Sequence, residues 1–286
     1  MNRNDDYKRL ADSYFDFLAE RFPVMCASDE FDFLPRAENA SKYYDKLDQF
    51  KSNAVEDVID ELKSFQKRFA AADAEDVNLE RFIDLKLLQA NAAGILIELD
   101  IKRAWRYNPL LYLKIGFIGL DHALNKPAED TREVRGRALS RLSAIPDLLK
   151  NGMENIQSVP ETYYQASLMM AGDCKQYLNQ LGNELSPIFV DHHDAAIGTL
   201  ENAAGALEDF SRFLKSKSPG PDKQFAVSTL EASLTDHFLV SHSPEEILLI
   251  AREEWQEILG QLVHLQARID PDKTWEQLYH AFTPSQ

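Results

Sequence analysis

Apolar positions recur along this chain at steps of three and four, which predicts helix nearly throughout. From Tyr7 to Arg21 the pattern is carried by Leu10, Tyr14, Phe17 and Leu18, and Pro23 stops it. Met25 to Arg36, with Asp29, Asp32 and Pro35 as turn formers, reads as irregular. Helix is predicted again over about Ala37–Phe50 and over Val55–Phe69, followed by a small polar break from Ala70 to Asp76. The strongest stripe is Leu85, Leu88, Ala92, Ile95 and Leu99, in a helix predicted from about Leu79 to Tyr107 and ended by Asn108-Pro109. Around Ala92 to Leu99 nearly every side is apolar, so this helix is expected to be enclosed by others. Leu110 to Leu124 follows, and its Gly116 and Gly119 suit close helix packing.

In the second half, Pro127 to Asp130 reads as a helix start. The stretch from Arg137 to Tyr164 reads as one helix with an internal proline, a short break and a new start. Pro146 removes an amide donor and crowds the preceding turn, so a kink or break is expected near Ala144. Pro160 then opens a helix to about Leu181. Over Pro187 to Leu214, a stripe of Phe189, His193, Ala196, Leu200, Ala203, Leu207, Phe210 and Leu214 never misses a step. Ser216 to Asp222 is the clearest loop, and a shorter helix spans about Phe225 to Phe238. Ser243-Pro244-Glu245-Glu246 has the cap, proline and acid of a strong helix start. Its buried stripe is expected to be Leu248, Ala251, Trp255, Ile258, Leu262 and Leu265, and Asp270-Pro271 is expected to cap a last helix through Trp275 and Leu278. No stretch alternates with period two. The expected fold is all-α, a large multi-helix bundle or array of about ten helices, forming a single domain over residues 1–286.

Composition narrows the classes. At 286 residues, 44% hydrophobic and 27% charged, the chain can bury a core, and wholesale disorder is not expected. Its apolar runs, such as Ala92 to Ile97, are far short of the ~20 residues that a membrane span needs. The N-terminus shows no apolar signal region, which makes a cytoplasmic setting the expectation. A net charge of −16 without a Lys/Arg run argues against nucleic acid or anionic lipid as partners. Cys26 and Cys174 lie far apart and form no Cys-x-x-Cys pair, so reduced, partly buried thiols are expected.

Candidate chemistry is thin. The histidines are His122, His192, His193, His237, His242, His264 and His280, and no His-Glu-x-x-His sequence places two of them on one helix face. Asp191-His192-His193-Asp194 offers metal-type ligands, but neighbouring helical residues point ~100° apart, so His192 and His193 do not readily share an ion. His193 fits the apolar stripe as a hydrogen-bonded core residue, and His192 is expected to face solvent. Asp236-His237 and His242 could meet a distant carboxylate or could cap helix carbonyls. The pairs Glu245-Glu246 and Glu253-Glu254 are explained by the helix dipole and a solvated face. No phosphate loop, Gly-x-Ser-x-Gly elbow or Cys-His nucleophile pattern is present. Trp105-Arg106-Tyr107-Asn108-Pro109 with Tyr112 gathers aromatic and polar groups, fit either for a ligand cleft or for a packed helix corner.

A family resemblance joins several of these landmarks. Phe17-Leu18 with Phe22-Pro23, Phe31-Asp32, and Trp105 with Asn108-Pro109 and Tyr112 belong to it. So do Arg141 to Leu149 through Asn155 and Pro160, Phe210 to Leu214, and the Ser243-Pro244-Glu245-Glu246 helix. Over about Tyr14 to Phe282 the chain resembles the N-terminal helical region of the DUF885 family, whose longer members look like zinc-dependent peptidases of the gluzincin type. The family's His-Glu-x-x-His helix has no counterpart here, and the glycine of its early Gly-x-x-x-Tyr-Asp stretch is missing around Ser28 to Asp32. The chain is then a fragment, or a short relative without the catalytic half. The resemblance therefore carries over no catalytic, cofactor-binding or metal residue and implies no cofactor. It implies a helical module with a binding or structural role, toward a peptide or a separately encoded catalytic half. The alternatives are a metal-dependent hydrolase with an unrecognised His/Asp/Glu site, and a structural or regulatory protein.

Overall fold

Tyr14 shows why the first three helices meet. It lies on α1 (Arg3–Arg21), is fully buried, and meets Phe65 and Phe69 edge-on at 5.2 and 5.3 Å between ring centroids. Both phenylalanines belong to α2 (Ser52–Asp73). The Tyr14 hydroxyl donates to Asn91 Oδ1 at 2.6 Å, reaching α3 (Leu79–Leu96), which pairs with α2. The structure, a computed structural model, describes residues 3–73, 79–184 and 193–283. It is 78% helical, all-α, without a strand among the described residues.

The chain divides into two compact units, Met1–Thr229 and Leu230–Gln286. Within the first, four long helices close a ring: α4 (Pro109–Asn125), α5 (Thr131–Asn155), α6 (Glu161–Glu184) and α7 (His193–Ser216). α5 lies between α4 and α7, and α6 packs on both of those. Asn108 caps α4 through Leu110 N–H, and Asp130 caps α5 by accepting from the amides of Arg132 and Glu133. Gly152 sets the spacing inside the ring. A Cβ there would stand 2.8 Å from Tyr112 Cγ and 3.1 Å from Phe210 Cε2, so a bare backbone is what lets both rings approach α5. Gly152→Val is expected to cost about 1–3 kcal/mol of stability by displacing those rings. A urea midpoint equal to that of the parent chain would show that the rings can yield.

The core of the first unit also buries two ionisable groups, Asp48 and Arg141. Asp48 accepts the amides of Val24 (2.7 Å) and Met25 (3.3 Å) and is 3% exposed. Burial pushes its carboxyl up to about 7, against the opposing pull of those amides and of Arg141. Arg141, on α5, is wholly buried, and it donates to the carbonyl of Gly119 and, at 3.5 Å, to that of Tyr43. Burial brings its guanidinium down to about 10, although Asp48, Asp45 and Tyr44 favour the charged form.

Several expectations need correction. The Ala37–Phe50 segment is not an α-helix: one 3-10 stretch (Glu38–Tyr43) is followed by non-helical chain through Lys51. Long-range partners hold it instead: the Asp48 carboxyl accepts from the Val24 and Met25 amides, and the Phe50 carbonyl accepts from Asn155. The helix does not break near Ala144: α5 runs continuously through Pro146, whose missing amide removes one hydrogen bond from the helix. The α-helix from Leu79 ends at Leu96, and a π-helical segment (Ile97–Lys102) and a 3-10 turn (Ala104–Arg106) replace its expected last turns.

The second unit holds α9 (Pro244–Ile269) and α10 (Trp275–Phe282), preceded by α8 (Val227–Ala232), which spans the division between units. Ser243 and Glu246 form the expected capping box. Asp270 is the C-cap of α9, however, and Thr274 with Gln277 caps α10. The α9 stripe is periodic, but no residue of this helix is buried, and Leu248, Trp255, Ile258 and Leu265 are exposed. Within its unit α9 packs on α10, and eight residues span only ~12 Å of a helix ~39 Å long.

Candidate functional site

A cleft of about 450 Å³ opens in the first unit, lined by Lys51, Ser52, Asn53, Trp105, Arg106, Glu154, Asn155 and Gln157. Three elements bring these residues together: the start of α2, the 3-10 turn after α3, and the end of α5. Each is held by a specific interaction.

The turn is shaped by unusual backbone. The π-helical segment ends at Arg103, which sits in the left-handed region at φ 53°. A side chain there costs of order 1 kcal/mol or more, so its surroundings must hold it. The Trp105 indole N–H donates to Leu99 O (2.9 Å), and the Tyr112 hydroxyl donates to Trp105 O (2.6 Å). The Arg106 guanidinium lies over the Trp105 ring, 4.4 Å from its centroid, and Gln157 N–H bonds the Arg106 carbonyl at 2.9 Å. Tyr107, Pro109 and Tyr112 are buried behind this edge. The aromatic cluster at this helix end is therefore both a packed corner and, through Trp105 and Arg106, a cleft wall.

Asn155 ties the wall to its neighbours. Its Nδ2 donates to Phe50 O (2.5 Å) and to the Tyr112 hydroxyl (3.0 Å). Because Tyr112 spends its own proton on Trp105 O, it can only accept from Asn155, and a carbonyl also only accepts. The amide orientation is thus fixed, with Nδ2 inward. Asn155 is 8% exposed and lines the cleft, yet its Oδ1 accepts from no donor among the described residues.

The floor is the N-terminus of α2. Val55 N–H bonds Lys51 O, which makes Lys51 the N-cap residue, and lysine has no oxygen with which to cap. The amides of Ser52, Asn53 and Ala54 have no acceptor within the helix, and the first turn carries no acid. Neither Lys51 nor Arg106 has a carboxylate partner among the described residues. With Glu154 exposed on the rim, two cations face one carboxylate. The cleft keeps a local positive excess in a chain of net charge −16.

The other candidates are not gathered here. His192 lies outside the described residues, as does the chemistry of the Asp191-His192-His193-Asp194 run; His193 begins α7. His237 ends a π-helical segment, with its ring 4.5 Å from that of Phe238, and His242, His264 and His280 are exposed. His122 is buried on α4, where burial first and then the Lys126 and Arg141 charges push it down to about 4. Cys26 and Cys174 are free and buried, and burial pushes both thiols up. No three His, Cys, Asp or Glu side chains among the described residues come together to hold a metal ion. No described helix is long and apolar enough to cross a membrane. Trp105 and Arg106 were legible as candidates; Lys51 carried no motif, and Asn155 was legible only as part of the family resemblance.

No family model matches the chain, and neither the curated proteins nor the solved structures contain a match to it.

Proposed function

We propose that the chain is a non-catalytic helical module that binds a peptide in the cleft between α2, the Trp105 turn and α5. One observation carries this reading. Among the described residues, a helix start without a side-chain cap, two cations without carboxylate partners and a fixed amide oxygen without a donor share one cavity. Polar groups turned toward a cavity without protein partners await a ligand that supplies them. The ring of α4 to α7 makes the scaffold rigid, which suits recognition. The resemblance to the helical half of DUF885 proteins supports a peptide as the ligand class, with a separately encoded catalytic half as a further partner.

Saturation-transfer NMR of the full chain with a mixture of random N-acetylated pentapeptides tests this. Transfer to peptide protons is expected, and it should drop in Trp105→Ala, which removes one wall. An absence of transfer would sink the reading. Stoichiometric uptake of zinc or manganese by the purified chain would shift it to a metal-dependent hydrolase.

A further inference from the structure

The chemistry of the cleft lining specifies which part of a peptide it takes, and this step rests on the peptide-binding reading above. We propose that the cleft recognises the free C-terminal carboxylate of a peptide. Lys51, Arg106 and the amides that open α2 meet the anion, and Asn155 Oδ1 accepts the neighbouring peptide N–H.

The electrostatics select an anion of low charge. The α2 N-terminus adds a partial positive charge of roughly half a unit to the excess left by Lys51 and Arg106 over Glu154. That suits a monoanion better than a dianion, which Glu154 at the rim would also repel. Arg106 is prepared for a planar partner. Stacking on the Trp105 indole holds the guanidinium, and a fork held in place loses little freedom when it binds a carboxylate through two N–H groups.

Asn155 narrows the class further. A simple anion has nothing for a carboxamide oxygen that can only accept, and an unmet acceptor beside it would oppose binding. A peptide C-terminus carries an amide N–H on the carbon that bears the carboxylate. Both groups therefore arrive together, at the spacing of a single residue. Asn155 cannot turn its NH2 toward the anion instead, because Phe50 O and the Tyr112 hydroxyl hold that group. The acceptor is part of the cleft's selectivity.

The test uses the full chain, labelled with 15N, and three probes: N-acetyl-Ala-Ala-Ala as free acid, the same peptide as C-terminal amide, and inorganic phosphate. The free acid is expected to shift the amide resonances of Ser52, Asn53 and Ala54 saturably. The amide form should bind at least about tenfold more weakly, the scale of one lost charge-assisted hydrogen-bonded contact. Arg106→Gln and Lys51→Gln should each weaken the free acid. Lys51 is exposed, so its variant keeps the proposal testable if Arg106→Gln disturbs the Trp105 turn. Equal binding of acid and amide would overturn the carboxylate assignment while leaving peptide binding intact. Phosphate binding tighter than the free acid at the same amides would overturn it in favour of a general anion site. If neither peptide form shifts any resonance, the peptide reading fails with it.

Discussion

Arg141→Ala is expected to lower stability by about 3–5 kcal/mol, measured by chemical denaturation near pH 7. The side chain is wholly buried at the junction of α5 with α4 and the non-helical segment after Tyr43. Its removal takes one donor each from the Gly119 and Tyr43 carbonyls, of which Tyr43 keeps the Lys46 amide, and opens a cavity. It also strips Asp48 of the cation that favours the charged form of its carboxyl. Arg141→Met, which fills much of the same volume, should cost less, and the difference measures the polar part of the loss. A loss below about 1 kcal/mol in Arg141→Ala would show that the guanidinium is replaceable by water.

The second large effect is a dependence of stability on pH. Asp48 moves from an ordinary 3.8 to about 7 on folding, chiefly through burial. Between those values the folded chain keeps a proton that the unfolded chain has released. Folding therefore takes up protons across the window, and this contribution to stability is full below about pH 4 and lost by about pH 7. The drop is on the order of 4 kcal/mol for a carboxyl that is 3% exposed. Asp48→Asn should remove this contribution and leave the opposite trend of His122, because the asparagine oxygen can still accept from Val24 N–H but does not ionise. A parent chain as stable at pH 8 as at pH 5, with no change of slope in Asp48→Asn, would refute this. In Arg141→Ala the slope should extend to higher pH, since losing the cation raises the carboxyl further.

Periodicity made the helices legible because each buries one face, and a buried face leaves a repeat in the sequence. Tyr14, Leu85, Ile95, Leu207 and Phe210 were readable on that ground, and each is buried. The rule failed where partners rather than period decide the backbone. Ala37–Phe50 has helical spacing, yet Asp48 and Phe50 are claimed by residues more than twenty and a hundred positions away. On α9 the reverse holds: the period is right, but a repeat says only which face is apolar and not whether anything covers it. The cleft was half visible. Trp105 and Arg106 stand out as an aromatic and a cation before a proline. Lys51 and Asn155 matter through an absent cap and a fixed amide, and those become evident only when α2, Tyr112 and Phe50 are brought together in space.

The non-helical segment after Tyr43 has a role as a strap between two chemistries. Asp48, which anchors it to the core, and Lys51, which starts the cleft, are three residues apart, so their Cα atoms stand within about 11 Å of each other. Between them, the Phe50 carbonyl is gripped by Asn155. The strap is too short to absorb slack. Whatever holds Asp48 on the Val24 and Met25 amides also sets the origin from which α2 starts, so the position of the cleft floor is surveyed from the core's own carboxyl.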